Sequence, residues 1–108
     1  MNSEQAWKIL NAAVDRFGYI HQILQAIEAL DELGNGLVQF EKGAITGAFI
    51  NGSQGIEVRD RAVGKVTQSM ADVEIAMEQL RIIFKNTEAV ERARDWKLER
   101  LKARLSHR

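Results

Sequence analysis

The apolar residues of this chain recur at steps of three and four positions, which is the spacing of one continuous face on an α-helix. The longest such stripe comprises Val63, Val66, Met70, Val73, Met77, Leu80 and Phe84. A second stripe nearer the N-terminus comprises Ala13, Phe17, Ile20, Leu24 and Ile27. Neither stripe alternates with a period of two, as a half-buried strand would. The pattern therefore predicts an all-α domain whose core is built from these stripes.

Capping and helix-breaking residues set the bounds of the first predicted helix. It begins near Ser3, an N-cap candidate, and runs to about Leu33, with Gly18 as a bend or break. The apolar spacing continues past Gly34 and Gly36. Each glycine costs a helix about 1 kcal/mol, so the C-terminal boundary of this helix is left open.

Two further helices are predicted after a glycine-rich segment. The second covers about residues 61–85, and Asn86 or Thr87 caps a third over about 88–105. Residues 43–61 contain four glycines and an Asn-Gly pair, a composition typical of a glycine-rich loop or a short β-hairpin. The segment is too apolar for a simple linker, so part of it is expected to pack on the domain or on a neighbouring subunit.

The size of the chain bounds its organisation. A length of 108 residues predicts a single domain over residues 1–108. Such a chain has a modest core, so burial of two long apolar stripes favours a homo-oligomer. There is no Cys, which excludes disulfides and thiolate metal sites. The N-terminus has no basic-then-apolar leader, and no apolar run approaches the ~18 residues of a membrane span. A cytoplasmic protein without membrane contact is expected.

Charge is balanced over the whole chain but unevenly distributed. Residues 1–60 hold four Lys and Arg against eight Asp and Glu, whereas residues 61–108 hold eleven against seven. The positive C-terminal half favours an anionic ligand there. Nucleic-acid binding is disfavoured, because the chain is neutral overall and its cations are interleaved with acids.

Asp72 is the strongest candidate site residue in the pattern. It lies off the main stripe, on a line where the small residues Ser69 and Ala76 leave its carboxylate accessible. A carboxylate beside a core stripe must be paired, bound to a ligand or placed at an edge, which favours a site role. Glu28 and Glu32 on the first helix, taken alone, more often belong to a solvated helix face than to a site.

Three blocks of the sequence carry a family resemblance. They are FGYIHQILQAIEALDEL (17–33), MADVEIAMEQLRIIF (70–84) and KLERLKARL (97–105). In order and spacing they resemble the MazG-like family of all-α nucleoside triphosphate pyrophosphohydrolases. That family typically shows an aromatic-Gly pair followed by Gln, then Glu-Glu-x-x-Glu-Leu, Glu-x-x-Asp-Val and a Lys-x-x-Arg-Leu-x-x-Arg tail. The resemblance implies a bundle of antiparallel long helices, completed by assembly into a homodimer or homotetramer.

The resemblance also implies an activity, the cleavage of a nucleoside triphosphate to a monophosphate and pyrophosphate with Mg²⁺ or Mn²⁺. By position, Glu32 and Asp72 correspond to the catalytic carboxylates, and together with Glu28 they are the expected metal ligands. The expected substrate-binding residues are Gln22, Lys97, Arg100 and Arg104. The cations of the tail are otherwise typical of a solvated helix face laced with acids.

The chain departs from the family pattern at two expected metal ligands. Ala29 stands three residues before Glu32, and Ser69 three residues before Asp72, where the family has Glu. Residues three apart share a helix face, so the family pattern places four carboxylates around one or two cations. Two carboxylates can still hold a Mg²⁺–triphosphate, but weakly. The open alternatives are a weak or inactive pyrophosphohydrolase and a catalytically inactive nucleotide-binding or protein-interaction module on the same fold.

Overall fold

A computed structural model describes residues 1–107, which form four α-helices and one 3₁₀ turn and contain no strand. The elements are α1 (Ser3–Phe17), α2 (Tyr19–Thr46), the 3₁₀ turn (Ala48–Ile50), α3 (Gly52–Phe84) and α4 (Thr87–Ser106). The prediction of an all-α protein is confirmed. None of the helices in this range combines the length and the apolarity needed to cross a bilayer.

Local side-chain chemistry explains where α1 begins and ends. Asn2 caps the helix in place of the predicted Ser3: its side chain accepts a hydrogen bond from the Gln5 N–H at 2.8 Å. The Gln5 side chain in turn accepts from the Asn2 N–H at 3.0 Å, so two backbone donors at the helix start are satisfied. Gly18, with φ of +85°, ends α1, and α2 begins at Tyr19. The predicted break at this glycine is confirmed.

The glycine-rich segment 43–61 is helical on both sides of a tight turn, so the prediction of a loop or β-hairpin is wrong. α2 continues to Thr46 and ends at Gly47, whose φ is +76°, and α3 begins well before the predicted start near residue 61. Gly55 is buried, and a Cβ there would lie 2.8 Å from the backbone of Phe49. This glycine allows the 3₁₀ turn to pack on α3, whereas in the sequence it indicated a loop.

Helices α2 and α3 pack on each other as an antiparallel hairpin, which forms most of the fold. Gln22 and Gln79 line the same groove far from the connecting turn. Closer to the turn, a Cβ on Gly36 would lie 3.5 Å from Val66 Cγ2. The buried residues of the two helices are small or polar, and they are Gln22, Ala26, Gly55, Ser69, Ala76 and Gln79. Small residues between facing helices allow their axes to approach closely.

The apolar stripes that the sequence marked lie largely on the surface of the single chain and do not form a core within it. On α3, Val63, Met70, Met77 and Phe84 are 37%, 51%, 42% and 57% exposed. Further exposed stripe residues near the N-terminus are Phe17, Ile20, Leu24 and Ile27. The radius of gyration, 18.0 Å, exceeds the ~13 Å of a compact 100-residue domain. The physical reason is that each helix directs its small and polar line, rather than its apolar stripe, toward the other helix.

Helix α4 extends from the hairpin as an arm. Every residue from 91 to 107 is exposed, and the arm contacts α3 through an ion pair between Arg81 and Glu91 at 3.8 Å. The predicted third helix is confirmed within two residues at each end. Asn86 occupies the N-cap position, but its side chain forms no capping hydrogen bond.

Candidate functional site

One polar groove of about 580 Å³ follows the hairpin toward its N-terminal end, and we call it the carboxylate groove. Its acidic residues are Glu28 and Glu32 of α2 and Asp72 of α3. Its other polar residues are His21, Gln22, Gln25 and Gln79. Four of the residues that the sequence singled out, Gln22 and the three acids, therefore line a single groove, although α2 and α3 are separated by the turn.

The helix register explains why these acids share a groove. Glu28 and Glu32 are one turn apart on α2 and so lie on the same face. Asp72 follows Ser69 on α3, and Ser69 is buried against α2 with 9% of its surface exposed. The side chain of Asp72 therefore leaves the helix beside the interhelical contact and is itself exposed. The sequence predicted that small neighbours leave the Asp72 carboxylate accessible, and its exposure agrees with that prediction.

A second groove of about 890 Å³ lies between the same helices on the side of the connecting turn. It carries Lys42 of α2 and Arg61 and Lys65 of α3, and we call it the cationic groove. Its uncharged polar residues are Asn35, Gln39, Thr46, Gln68 and Ser69. Glu32 and Asp72 line this groove as well as the carboxylate groove, and no other residue does so. The two carboxylates thus stand where the grooves meet.

The two positions that depart from the family pattern lie at the same place. Ala29 lines the carboxylate groove and Ser69 lines the cationic groove, each one turn from its surviving acid. Neither side chain can supply a carboxylate. Within residues 1–107, no group of three or more Asp, Glu or His side chains is close enough together to hold a metal ion. Glu28 lines the groove without completing such a group.

The cations of the tail lie elsewhere. Lys97, Arg100 and Arg104 are on the exposed arm α4, and none of them lines either groove. The guanidinium of Arg100 is stacked over the Trp96 ring at 4.8 Å from its centroid, a favourable cation–π contact. Within this chain, the structure does not bring the three predicted phosphate contacts to Glu32 and Asp72.

A third groove, of about 660 Å³, lies between α1 and the C-terminal end of α3. Trp7 and Leu10 form its apolar side, and Glu78, Arg81 and Lys85 its charged side. None of the residues predicted to form the site lies here.

Sequence reasoning missed the cations of the second groove. Lys65 and Arg61 precede Asp72 on the same helix by seven and eleven residues, which are close to two and three turns. That spacing was a usable signal. The sequence does not predict the position of Lys42 on the facing helix, because that position depends on α2 continuing through the glycines to Thr46.

Comparison of the chain with models of known protein families, with curated proteins and with solved structures gave no match. The arguments below therefore rest on the residues and geometry of this chain.

Proposed function

We propose that this protein is a MazG-like nucleotide pyrophosphohydrolase that cleaves a (deoxy)nucleoside triphosphate, with Mg²⁺ or Mn²⁺, at a low rate. In this reaction water enters at the bond between the first and second phosphoryl groups. The products are a nucleoside monophosphate and pyrophosphate. The site is the junction of the two grooves, where Glu32 and Asp72 are the proposed catalytic carboxylates.

A single observation carries the proposal. Glu32 and Asp72 come from different helices, and they alone line both the carboxylate groove and the cationic groove. A carboxylate pair at the meeting point of an acidic and a basic groove suits a ligand that is a polyphosphate bound through a divalent cation.

The donor set at this junction is compatible with Mg²⁺. Mg²⁺ in proteins is typically held by one or two carboxylates together with water and substrate phosphates, rather than by a cage made only of protein ligands. Glu32 and Asp72 are the residues that would hold it, and Glu28 is one turn away on α2. Once bound, the ion would offset phosphate charge and polarise the phosphoryl group under attack.

The same donor set explains why we propose a low rate. Ala29 and Ser69 remove two of the four carboxylates that the family pattern uses, so a second cation has too few ligands. A catalytically inactive nucleotide-binding or protein-interaction module is the alternative. It is favoured by the absence, within residues 1–107, of any three-residue metal-binding group.

Assembly into a homodimer or homotetramer is part of the proposal. Val63, Met70, Met77 and Phe84 are exposed on α3, and none of them lines either groove. Exposed apolar patches of this extent are typical of protein–protein contacts. Because the patch and the grooves share no residue, association through the patch leaves the junction open to a ligand.

The test is release of pyrophosphate from a panel of ribo- and deoxynucleoside triphosphates with Mg²⁺ or Mn²⁺. We expect Asp72→Asn to lower the rate at least about 100-fold, because it removes a charge that acts at the reacting phosphate. The matched control is Glu74→Gln, which removes one acid from an exposed position of α3 outside both grooves. It should leave the rate unchanged.

Two results would overturn the proposal. Turnover that survives Asp72→Asn would place the chemistry elsewhere. No turnover by folded wild-type protein, together with saturable nucleotide binding, would establish the inactive binding module instead.

A further inference from the structure

We infer that the polyphosphate of the bound nucleotide lies in the cationic groove, on Lys42, Arg61 and Lys65, rather than on the cations of α4. This inference rests on the proposed function for the identity of the ligand. It assigns phosphate contacts to three residues that the family pattern does not mark.

The three cations converge although they come from different elements. Lys42 is on α2, whereas Arg61 and Lys65 are on α3, and all three line one groove. Within residues 1–107, none of them forms an ion pair with a carboxylate. With Glu32 and Asp72 included, the formal charge of the groove lining is +1, from three cations and two carboxylates. A cation bound to the carboxylates would make the groove more positive still.

The uncharged lining suits the same ligand. Gln39 and Gln68 supply amide donors from opposite helices, and Asn35 supplies another near Glu32. Charge-assisted hydrogen bonds from Lys and Arg to phosphate are among the strong ones, and amide donors complement them. The groove therefore offers donors from both helices to one anion.

The order of these residues along the helices places all three cations on one side of the carboxylates. A helix rises 1.5 Å per residue, so Lys65 lies about 10 Å from Asp72 along α3, and Arg61 about 16 Å. On α2, Lys42 lies about 15 Å from Glu32 by the same measure. The cations therefore follow one another away from the carboxylates toward the turn. Phosphates that extend from a cation held at the junction would meet Lys65 first.

Glycines shape the groove. Gly36, Gly43 and Gly64 all line it. A Cβ on Gly43 would overlap the Phe49 ring, and this ring packs against Phe40 at an interplanar angle of 47°, with centroids 5.1 Å apart. The glycine thus lets the ring lie against α2 at the turn end of the groove. Around Gly64 a Cβ would meet nothing within 4 Å, which indicates open space above α3.

The cations of α4 are less suited to this role. They stand on an arm whose residues 91–107 are all exposed, and Arg100 already contacts Trp96. In an oligomer the arm of another subunit could reach the groove, so the experiment compares the two sets of cations directly.

The experiment is calorimetric titration of the folded protein, in Mg²⁺, with inorganic tripolyphosphate and with an α,β-methylene deoxynucleoside triphosphate. In the second probe, carbon replaces the bridging oxygen and prevents cleavage. One variant combines Lys42→Gln, Arg61→Gln and Lys65→Gln. The matched variant combines Lys97→Gln, Arg100→Gln and Arg104→Gln, which removes the same number of charges from α4. Circular dichroism verifies that both variants are helical.

We expect the groove variant to weaken binding of both probes at least about 10-fold, since it removes three charge-assisted contacts, and the α4 variant to change it less than about 2-fold. A weakening confined to the α4 variant, an equal weakening in both, or no binding of either probe to the wild type would overturn the inference. So would binding of a DNA or RNA oligonucleotide, but of neither probe, that depends on the groove cations.

Turnover separates this inference from the proposed function. If the groove variant loses affinity for both probes while wild-type protein cleaves no nucleotide, the phosphate assignment stands and the catalytic proposal fails. If wild-type protein cleaves nucleotides and the groove variant does so with an unchanged KM, the catalytic proposal stands and the phosphate assignment fails.

Discussion

The α2–α3 hairpin has two long surfaces of opposite character. The inner surface, where the helices meet, is made of small and polar residues such as Ala26, Ala76 and Gln79, which are buried. The outer surface carries Met70, Met77 and Phe84, which are 42–57% exposed. In a domain that folds alone, the apolar surface would be buried and the polar surface exposed, because apolar burial is the main favourable term in folding. The difference is the observation behind the proposed assembly into a homodimer or homotetramer.

The inner surface also positions the residues of the proposed site. Because Ser69 and Ala76 are small, α2 can approach α3 closely at this point, and the carboxylate of Asp72 lies at the edge of the contact. A row of large apolar residues would separate the helices and bury the acid or move it away. The outer surface is free of these constraints. The inner surface thus forms the grooves, and the outer surface is the one that we propose for assembly.

The largest expected effect comes from charging the outer surface. The double change Met70→Lys and Met77→Lys should dissociate the oligomer and raise its Kd at least about 100-fold. Burial of one such side chain contributes about 1.5–3 kcal/mol, and a two-fold axis brings each position to the contact twice. Sedimentation velocity measured over a range of protein concentrations gives the Kd.

The control for this change is Glu57→Lys, which makes the same change in net charge at an exposed position of α3 that is not three or four residues from any residue of the stripe. It should leave the Kd within about 3-fold of wild type, as expected of a surface substitution. Wild-type protein that is monomeric at all concentrations would contradict the assignment of the outer surface. An oligomer that tolerates both lysines would place the contact on another face.

This comparison also explains how much of the fold the sequence could predict. Periodicity predicts the all-α class, the break at Gly18 and the helix α4, because these depend on local propensity and capping. The same periodicity cannot distinguish burial inside a chain from burial between chains, since both need an apolar face. The stripe from Val63 to Phe84 therefore predicts a buried face, and in the single chain this face is largely exposed.

The sequence predicts the residues of the candidate site only in part. Helical spacing and the family resemblance drew attention to Glu28, Glu32 and Asp72, and these residues line one groove. The sequence does not predict that Lys42 lines the cationic groove, because its position there depends on how α2 and α3 align along their length. That alignment is fixed by contacts such as the buried Gly55 against the 3₁₀ turn. A single sequence does not show which residues of the two helices contact each other.

A smaller effect is expected from restoring the missing acids on the inner side. The double change Ala29→Glu and Ser69→Glu should tighten Mg²⁺ binding about 10-fold, because affinity for hard cations rises with the number of carboxylate ligands. The rate of pyrophosphate release should rise with it. Calorimetric titration with Mg²⁺ measures the first effect directly and needs no substrate.

The control places the same two charges outside the grooves, as Ala71→Glu and Ala93→Glu, both at exposed positions. These should leave Mg²⁺ affinity unchanged. If the restored acids also leave it unchanged in a folded protein, then positions 29 and 69 do not converge on Glu32 and Asp72, and the register that defines the junction is wrong.

The smallest expected effects come from two glycines of α2 that differ in what surrounds them. Gly43 lies under the Phe49 ring, which an added Cβ would overlap, whereas a Cβ on Gly34 would meet nothing within 4 Å. Gly43→Ala should therefore lower the free energy of unfolding by about 1–2 kcal/mol, the usual cost of overpacking. Gly34→Ala should raise it by about 0.5–1 kcal/mol, because alanine favours a helix interior over glycine.

Urea denaturation at one fixed protein concentration measures both changes, since the stability of an oligomer depends on concentration. If both substitutions change the free energy of unfolding in the same direction, the surroundings of the two glycines do not determine the effect. A Gly34→Ala variant that is destabilised and dissociates would carry a different meaning: it would place a close subunit contact at Gly34. The outer surface would then use a glycine for close approach, as the inner surface uses Gly55.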